Sequence, residues 1–169
     1  MNVHTHSAQA VPAPKSLPHV RLGVEADLPQ LLEMGRMLHS ENAMMPLSED
    51  MILSAAWRAI RQDRAMVGVI GQVGSIEGMI YLTVGQFWYT DKPHLEELYA
   101  YVKPEFRKST NAKALVEFAK SSARRLNVPL LIGIISNKRT EAKIRLYERQ
   151  LGKQSGAYFL YGGKTGSEK

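Results

Sequence analysis

Residues 102–113 join a small-residue loop to a cluster of basic side chains, in a pattern that suits phosphate binding. An apolar strand pattern ends at Val102, Pro104 marks a sharp turn, and a helical pattern opens directly behind the loop. The first N–H groups of a helix lack intrahelical partners and carry positive partial charge, so they bind anions. The sequence therefore predicts a phosphate site whose cations are Arg107, Lys108 and Lys113.

The patterns on either side predict the elements that position this loop. Residues 95–102 alternate as a strand should, and residues 112–126 place apolar side chains on one helix face. The almost wholly apolar stretch 130–136 is typical of a strand buried on both faces. Downstream, we expect a short basic helix over residues 141–151 and a last strand over residues 156–162.

Upstream of the loop, the predicted elements are a short strand, two helices and a hairpin. Asp27 is expected to cap the first helix with Gln30 at its capping-box position, and Ser48 to start the second. Residues 65–71 and 76–87 are predicted as a hairpin because a Gly-containing turn joins them. The order is β-α-α-β-β-β-α-β-α-β, which predicts an α/β fold with a mixed sheet.

Length and composition indicate one domain and exclude some chemistries. The chain has 169 residues, which fits a flexible arm over residues 1–18, a single domain over 19–163 and a polar tail over 164–169. The absence of cysteine excludes disulfides, thiolate metal sites and a cysteine nucleophile. Without a recognisable signal peptide or apolar membrane span, we expect a cytoplasmic protein.

The net charge of +6 favours anionic partners. Nucleic acid is one such partner, supported by charge alone, and a basic solvated surface is the other interpretation. A homodimer is a further hypothesis, and no metal site is predicted.

Two motifs resemble those of the GCN5-related N-acetyltransferase (GNAT) family. Residues 102–107, Val-Lys-Pro-Glu-Phe-Arg, are similar to V-x-P-x-[YF]-R, and the predicted element order is similar to that family's fold. The family pattern continues as [QR]-x-x-G-x-[GA], and here Thr110 stands in place of the first Gly. Asn137, Tyr147 and Gly152 resemble a second motif, N…(L/F)-Y-x-x-x-G, with longer spacings. The loop sequence looks more similar to bacteriophage members.

The resemblance implies transfer of an acetyl or other acyl group from acetyl-CoA to an amine of an unknown acceptor by direct attack. It implies that the pyrophosphate lies on the loop amides and that the pantetheine runs along the edge of strand 95–102, where strand 130–136 splays away. The cofactor-binding residues expected on this basis are Tyr101, Val102, Lys103, Arg107, Lys108, Ser109, Thr110, Asn111, Ala112, Lys113 and Asn137.

Two positions in this set have more than one interpretation. Thr110 either keeps the cofactor with altered geometry or loses it, because only Gly takes positive φ freely. Asn137 either orients the cofactor or caps the following helix. A GNAT-like binding protein without turnover, or an enzyme directed at nucleic acid, is the alternative function.

The resemblance also implies a general base and a general acid. An attacking amine must lose a proton, and Glu96 is the predicted base. Side chains alternate along a strand, which predicts Glu96 on the face of Val102 and Glu97 on the face of Tyr101. Glu97 is the alternate base if the register slips by one residue. An exposed strand start is the other interpretation of this pair.

Tyr147 corresponds to the family's acid, which protonates the leaving thiolate. An unperturbed tyrosine has a pKa of about 10, close to that of a thiol. The other interpretation is a half-buried helix residue with its hydroxyl in water. Aromatic residues elsewhere could line an acceptor pocket, although aromatic side chains more often belong to the core. They are Trp57, Phe87, Trp88 and Tyr89.

Overall fold

The computed structural model describes residues 16–42, 44–136 and 139–159. Its centre is a mixed sheet of five strands that lie side by side in sequence order. Neighbouring strands are antiparallel except for the last pair, which is parallel. The α/β fold with a mixed sheet is therefore confirmed. The strands are β1 (Arg21–Leu22), β2 (Ala65–Gln72), β3 (Ser75–Gln86), β4 (Pro93–Val102) and β5 (Leu130–Ile132).

The helices cover the two faces of this sheet. They are α1 (Leu28–Asn42), α2 (Glu49–Ile60), α3 (Asn111–Leu126) and α4 (Thr140–Leu151). On one face, α1 and α2 pack against Val67, Met79 and Tyr81. On the other, α3 packs through Leu115 and Ala119 against residues such as Ile80, Leu82 and Leu95. β2 and β3 are buried from both sides because consecutive side chains enter opposite cores.

The predicted hairpin and the start of α2 are confirmed. β2 and β3 pair in an antiparallel register, and the side chain of Ser48 accepts a hydrogen bond from the Met51 N–H. Acidic residues follow Ser48 in the first turn, where they favour the positive end of the helix.

The predicted start of α1 is wrong in its details. The Asp27 carboxylate is fully buried and forms a bidentate pair with Arg21, at 2.6 and 2.9 Å, in a 3-10 turn ahead of α1. The Gln30 side chain accepts hydrogen bonds from the Ile76 N–H and the Lys103 ammonium. Both side chains tie the start of α1 to the sheet through distant partners, and Asp27 also accepts a hydrogen bond from the nearby Val24 N–H at 2.9 Å.

Several element boundaries differ from the predictions. β1 has two residues, and β5 ends at Ile132 instead of continuing to Ser136. Residues 156–159 form no strand, and the remainder of the predicted last strand lies outside the described residues. Most of the predicted arm, the polar tail and Asn137 also lie outside them. No helix within the described ranges is long and apolar enough to cross a membrane.

β4 contains a bulge that reverses its side-chain alternation. Tyr81 of β3 pairs with Tyr99, but the next residue, Leu82, pairs with Glu97, so Leu98 is the extra residue. The alternation predicted from the sequence is therefore wrong for the two glutamates. Glu97 lies on the α3 face together with Val102, and Glu96 lies on the opposite face.

The pairing of β4 with β5 is short. It runs from Leu95 opposite Leu130 to Glu97 opposite Ile132 and then stops. Beyond that point residues 133–136 follow an irregular path. Among the described residues, the β5-side edge of β4 from Leu98 to Val102 therefore has no strand partner. Its backbone groups are available to a ligand except the Val102 carbonyl, which accepts a hydrogen bond from Arg107.

Candidate active site

The free edge of β4 borders a cavity of about 150 Å³. Ala100, Tyr101 and Val102 form the β4 wall, α3 supplies Ala112 and Leu115, and α4 closes the other side. This cavity extends from Ala112 at the start of α3 to Tyr147 on α4. A ligand that follows the β4 edge would have its charged end at the basic loop.

The loop before α3 is built by its own side chains. The Ser109 hydroxyl donates to the Phe106 carbonyl at 2.6 Å and accepts from the Asn111 N–H at 3.1 Å. The buried side chain of Asn111 donates to Glu77 at 2.9 Å. Ser109 and Asn111 therefore hold the loop in shape. Within the described residues, the backbone N–H groups of Lys108, Thr110, Ala112 and Lys113 have no hydrogen-bond acceptor.

Thr110 fits its position without strain. Its φ is −89° and its ψ is 7°, which any residue can adopt, and its side chain makes no capping hydrogen bond. The backbone conformation at this position therefore does not require the Gly of the family pattern.

We expect Thr110→Gly to leave acetyl-CoA affinity unchanged and to lower the free energy of unfolding by about 0.5–1 kcal/mol, because Gly has more freedom in the unfolded chain. Ser109→Ala is the comparison, since it removes two observed hydrogen bonds and should cost about 1 kcal/mol. Denaturant unfolding and acetyl-CoA titration measure both effects. Clearly tighter acetyl-CoA binding by Thr110→Gly would show that Thr110 distorts the loop.

Arg107 points inward, and its partners are protein groups. Its Nε donates to the Val102 carbonyl at 2.9 Å, and its terminal nitrogen donates to the Glu41 carboxylate at 2.5 Å. The guanidinium also lies over the Tyr101 ring, 5.2 Å from its centre, and the Tyr101 hydroxyl donates to Glu41 at 2.7 Å. Arg107 and Tyr101 thus anchor the end of β4 to α1. The exposed cations at the helix start are Lys108 and Lys113.

Tyr147 and Glu97 meet at the inner end of the β4–β5 gap. The Tyr147 hydroxyl donates to the Glu97 carboxylate, with oxygen distances of 3.3 and 3.5 Å. Glu97 is only 8 % exposed. Burial raises the pKa of Glu97 to about 7, although the Tyr147 hydrogen bond and the nearby Lys143 lower it. Burial and the Glu97 charge raise the pKa of Tyr147 well above its usual value.

Lys143 lies one helical turn before Tyr147 on α4. Its ammonium donates to the Ser136 hydroxyl at 2.8 Å, and burial lowers its pKa. The ammonium contributes positive charge near Glu97, which favours the ionised form of that carboxyl group.

A second cavity, of about 720 Å³, lies on the other side of Tyr147. α1, the α1–α2 connection and β4 form its walls, and both Glu96 and Glu97 line it. Glu96 is half-exposed, and its Oε2 lies 3.7 Å from the His94 Nε2. Four residues line both cavities, so the cavities adjoin where Tyr147 lies. The shared residues are Asn42, Ala100, Lys143 and Tyr147.

Other candidate residues lie away from this junction. Trp88 is 95 % exposed on the β3–β4 connection, where Tyr89 contacts it, and Trp57 lies under Arg61. Phe87 stacks on His94. None of these four predicted aromatic residues lines either cavity, and Trp88 is not part of the core. Across the described residues, no three metal-ligating side chains are grouped closely enough to hold an ion.

The sequence did not indicate that Glu41 is the partner of Arg107, or that Lys143 lies near Glu97. Glu41 is 66 residues from Arg107, and the end of α1 carries no motif that predicts this contact. Lys143 was predicted only as part of a basic helix region, but its spacing of four from Tyr147 places both on one helix face. That spacing was the available signal.

Comparison with known proteins gives a family match. Residues 33–152 match the model of the acetyltransferase (GNAT) family, which covers more than half of the chain. No curated protein sequence is significantly similar to the chain.

Solved structures share the fold at low sequence identity. A possible acetyltransferase from Clostridium difficile 630 has a TM-score of 0.67 and 16 % identity, covering 86 % of this chain and 97 % of its own. A predicted acetyltransferase from Clostridium acetobutylicum, solved with acetyl-CoA, has a TM-score of 0.66 and 14 % identity, covering 86 % of this chain and 95 % of its own. AAC(6')-Iy, in complex with the bisubstrate analogue CoA-S-monomethyl-acetylneamine, has a TM-score of 0.67 and 14 % identity, covering 86 % of this chain and 97 % of its own.

Proposed function

The chain belongs to the GNAT acetyltransferase family, and from that premise we propose that it transfers an acetyl group to a primary amine bound in the larger cavity. It is an acyl-CoA-dependent N-acyltransferase with acetyl-CoA as co-substrate. The observation that carries the proposal is the position of Tyr147. Its side chain lines both cavities, and its hydroxyl lies 3.3 Å from the buried Glu97 carboxylate.

The residues present fit acetyl-CoA. The four N–H groups at the start of α3 that find no acceptor in the described part of the chain suit a pyrophosphate, as do the ammonium groups of Lys108 and Lys113. The edge of β4 that lacks a strand partner among the described residues suits the extended amide-containing arm. Bound there, acetyl-CoA supplies an activated acetyl thioester, whose carbon–sulfur bond breaks as the amine nitrogen bonds to the acetyl carbon.

We assign proton removal from the amine to Glu97. Its pKa of about 7 leaves it able to accept a proton near neutral pH, where a general base is most effective. Its carboxylate faces the acceptor cavity at the point where the two cavities adjoin. Glu96 lines the same cavity on the opposite face of β4, so it remains the alternative base.

Tyr147 is the proposed proton donor to the leaving sulfur. Its raised pKa keeps the phenol protonated throughout the working pH range. The Glu97 charge contributes to that elevation, and it disappears when Glu97 accepts the amine proton. Tyr147 therefore becomes a stronger acid after the base has acted, and the Glu97 proton can return to the phenolate across their hydrogen bond.

Replacing Tyr147 by Phe tests this assignment. We expect kcat to fall by about 100-fold, with the KM for acetyl-CoA within about twofold of wild type. Loss of the phenol also removes a hydrogen bond that lowers the Glu97 pKa, so the acidic limb of the pH–rate profile should move upward. Thiol-release kinetics across a pH series measure both changes.

The matched control is Tyr89→Phe, which removes an exposed phenol outside both cavities and should leave kcat unchanged. Wild-type turnover in Tyr147→Phe would eliminate Tyr147 as the acid.

The bacteriophage-type subfamily, the homodimer, nucleic-acid binding and the cytoplasmic location stay predictions.

A further inference from the structure

The walls of the larger cavity are unusually apolar for an exposed surface. Large apolar side chains that remain solvent-exposed gather there, on three separate segments of the fold. Met45 and Met51 are 71 % and 70 % exposed. Exposed apolar side chains around a concave site indicate a ligand with an apolar surface. The exposed apolar residues of this wall are Met45, Leu47, Met51, Leu98 and Ile135.

The α1–α2 connection is held in place as one wall of this cavity. The His39 side chain contacts the Met45 carbonyl at 2.8 Å, and Ser48 caps α2 directly after Leu47. Met45 and Leu47 are therefore presented by a segment that these two hydrogen bonds fix at His39 and at the start of α2, where Met51 lies. Methionine side chains adapt to irregular apolar shapes, which suits an acceptor body that varies in outline.

The charged groups are few and lie on the sheet side of the cavity. Glu96 and Glu97 project from β4, and Lys143, the one lysine among the described residues that line the cavity, lies on α4 and donates to Ser136. One or two carboxylates suit one ammonium group. An acceptor with many hydroxyl or ammonium groups would bury them against apolar walls, at a cost of about 1–3 kcal/mol for each unpaired group.

From these contacts we infer that the acceptor is a monoamine: one primary amine carried on an apolar body. The amine lies toward the glutamates of β4, and the body lies against Met45, Leu47 and Met51. This inference rests on the proposed function and names the substrate class of the same site. It distinguishes this chain's acceptor from the neamine-type group in the analogue bound to AAC(6')-Iy. Free alkylamines and arylalkylamines share this chemistry with the N-terminus of an apolar peptide.

The test is a panel of acceptors with the full chain and saturating acetyl-CoA. Hexylamine and phenethylamine represent free monoamines, a short peptide beginning with Leu-Phe represents the peptide source, and neamine and spermidine represent polar polyamines. We expect kcat/KM for at least one apolar class to exceed that for both polyamines by tenfold or more, because apolar contacts discriminate by about that factor. The better of the two apolar classes identifies the source.

Variants of the apolar wall provide a second readout. Met45→Gln and Met51→Gln alter exposed side chains, so the fold should be kept, and each should raise the KM of the preferred monoamine by about tenfold with little change in kcat. Val73→Gln is the matched control, because Val73 is an exposed apolar residue in the β2–β3 turn, outside the cavity.

Binding without turnover separates this inference from the proposed function. Calorimetric titration of each amine into the protein alone measures affinity independently of acetyl transfer. Faster acetylation of neamine or spermidine, or methionine variants that behave like Val73→Gln, would overturn the inference and leave the proposed function intact. Preferential binding of apolar monoamines without any acetyl transfer would support the inferred ligand class and overturn the proposed function.

Discussion

Replacing Glu97 by Gln is expected to lower kcat by about 1000-fold, because the base is removed while a side chain of the same shape remains beside Tyr147. The KM values for acetyl-CoA and amine should change little, since the change acts on proton transfer. Steady-state kinetics with thiol detection measure the loss. A comparable loss in Glu96→Gln, with Glu97→Gln near wild type, would transfer the role of base to Glu96.

The same substitution should stabilise the protein at alkaline pH. The pKa of Glu97 in the folded protein, about 7, is above the ordinary value of 4.5 that it has in the unfolded chain. Between those two values the folded protein keeps the Glu97 proton while the unfolded chain has released it. The free energy of unfolding therefore falls as the pH rises through the folded pKa. Gln does not ionise, so it avoids the cost of a buried carboxylate. Relative to wild type, the free energy of unfolding of Glu97→Gln should rise by roughly 3 kcal/mol near pH 8 and by almost nothing near pH 4. Denaturant unfolding at the two pH values measures this difference, and an equal gain at both would contradict it.

Replacing Arg107 by Ala is expected to damage both stability and acetyl-CoA binding. The variant loses the ion pair with Glu41, the hydrogen bond to the Val102 carbonyl and the contact with Tyr101. We expect the free energy of unfolding to fall by about 2–3 kcal/mol, because a charged partner is removed from a half-buried pair. Acetyl-CoA affinity should fall by about tenfold, since the end of β4 is no longer held.

Arg36→Ala is the control for Arg107→Ala. Arg36 also forms a close pair with a glutamate, Glu49, at 2.7 Å, but both side chains are about half exposed. Water screens such a pair, so the variant should unfold almost like wild type and bind acetyl-CoA normally. Thermal and chemical unfolding with and without acetyl-CoA compare the two. Equal effects of the two variants would remove the anchoring role of Arg107.

The sequence predicted those parts of the fold that depend on local pattern. The hairpin of β2 and β3, helix α3 and the capping of α2 by Ser48 follow from turn residues, apolar periodicity and cap chemistry. The resemblance to the family added the splay between β4 and β5. These predictions agree with the described structure.

The orientation of the two glutamates could not be predicted in the same way. A single extra residue at Leu98 inverts the alternation of β4, and no change of composition accompanies it. Simple alternation therefore assigned Glu97 to the wrong face. The partner of Arg107 was missed for a related reason, because a contact over 66 residues depends on how α1 docks on the sheet.

The most direct measurement follows free thiol and acetylated amine in one reaction, with acetyl-CoA, hexylamine and the full chain. The proposed function predicts that both products form in equal amounts, that both depend on the amine, and that Glu97→Gln slows both together. Thiol release without acetylated amine, or no reaction with any primary amine despite acetyl-CoA binding, would contradict it.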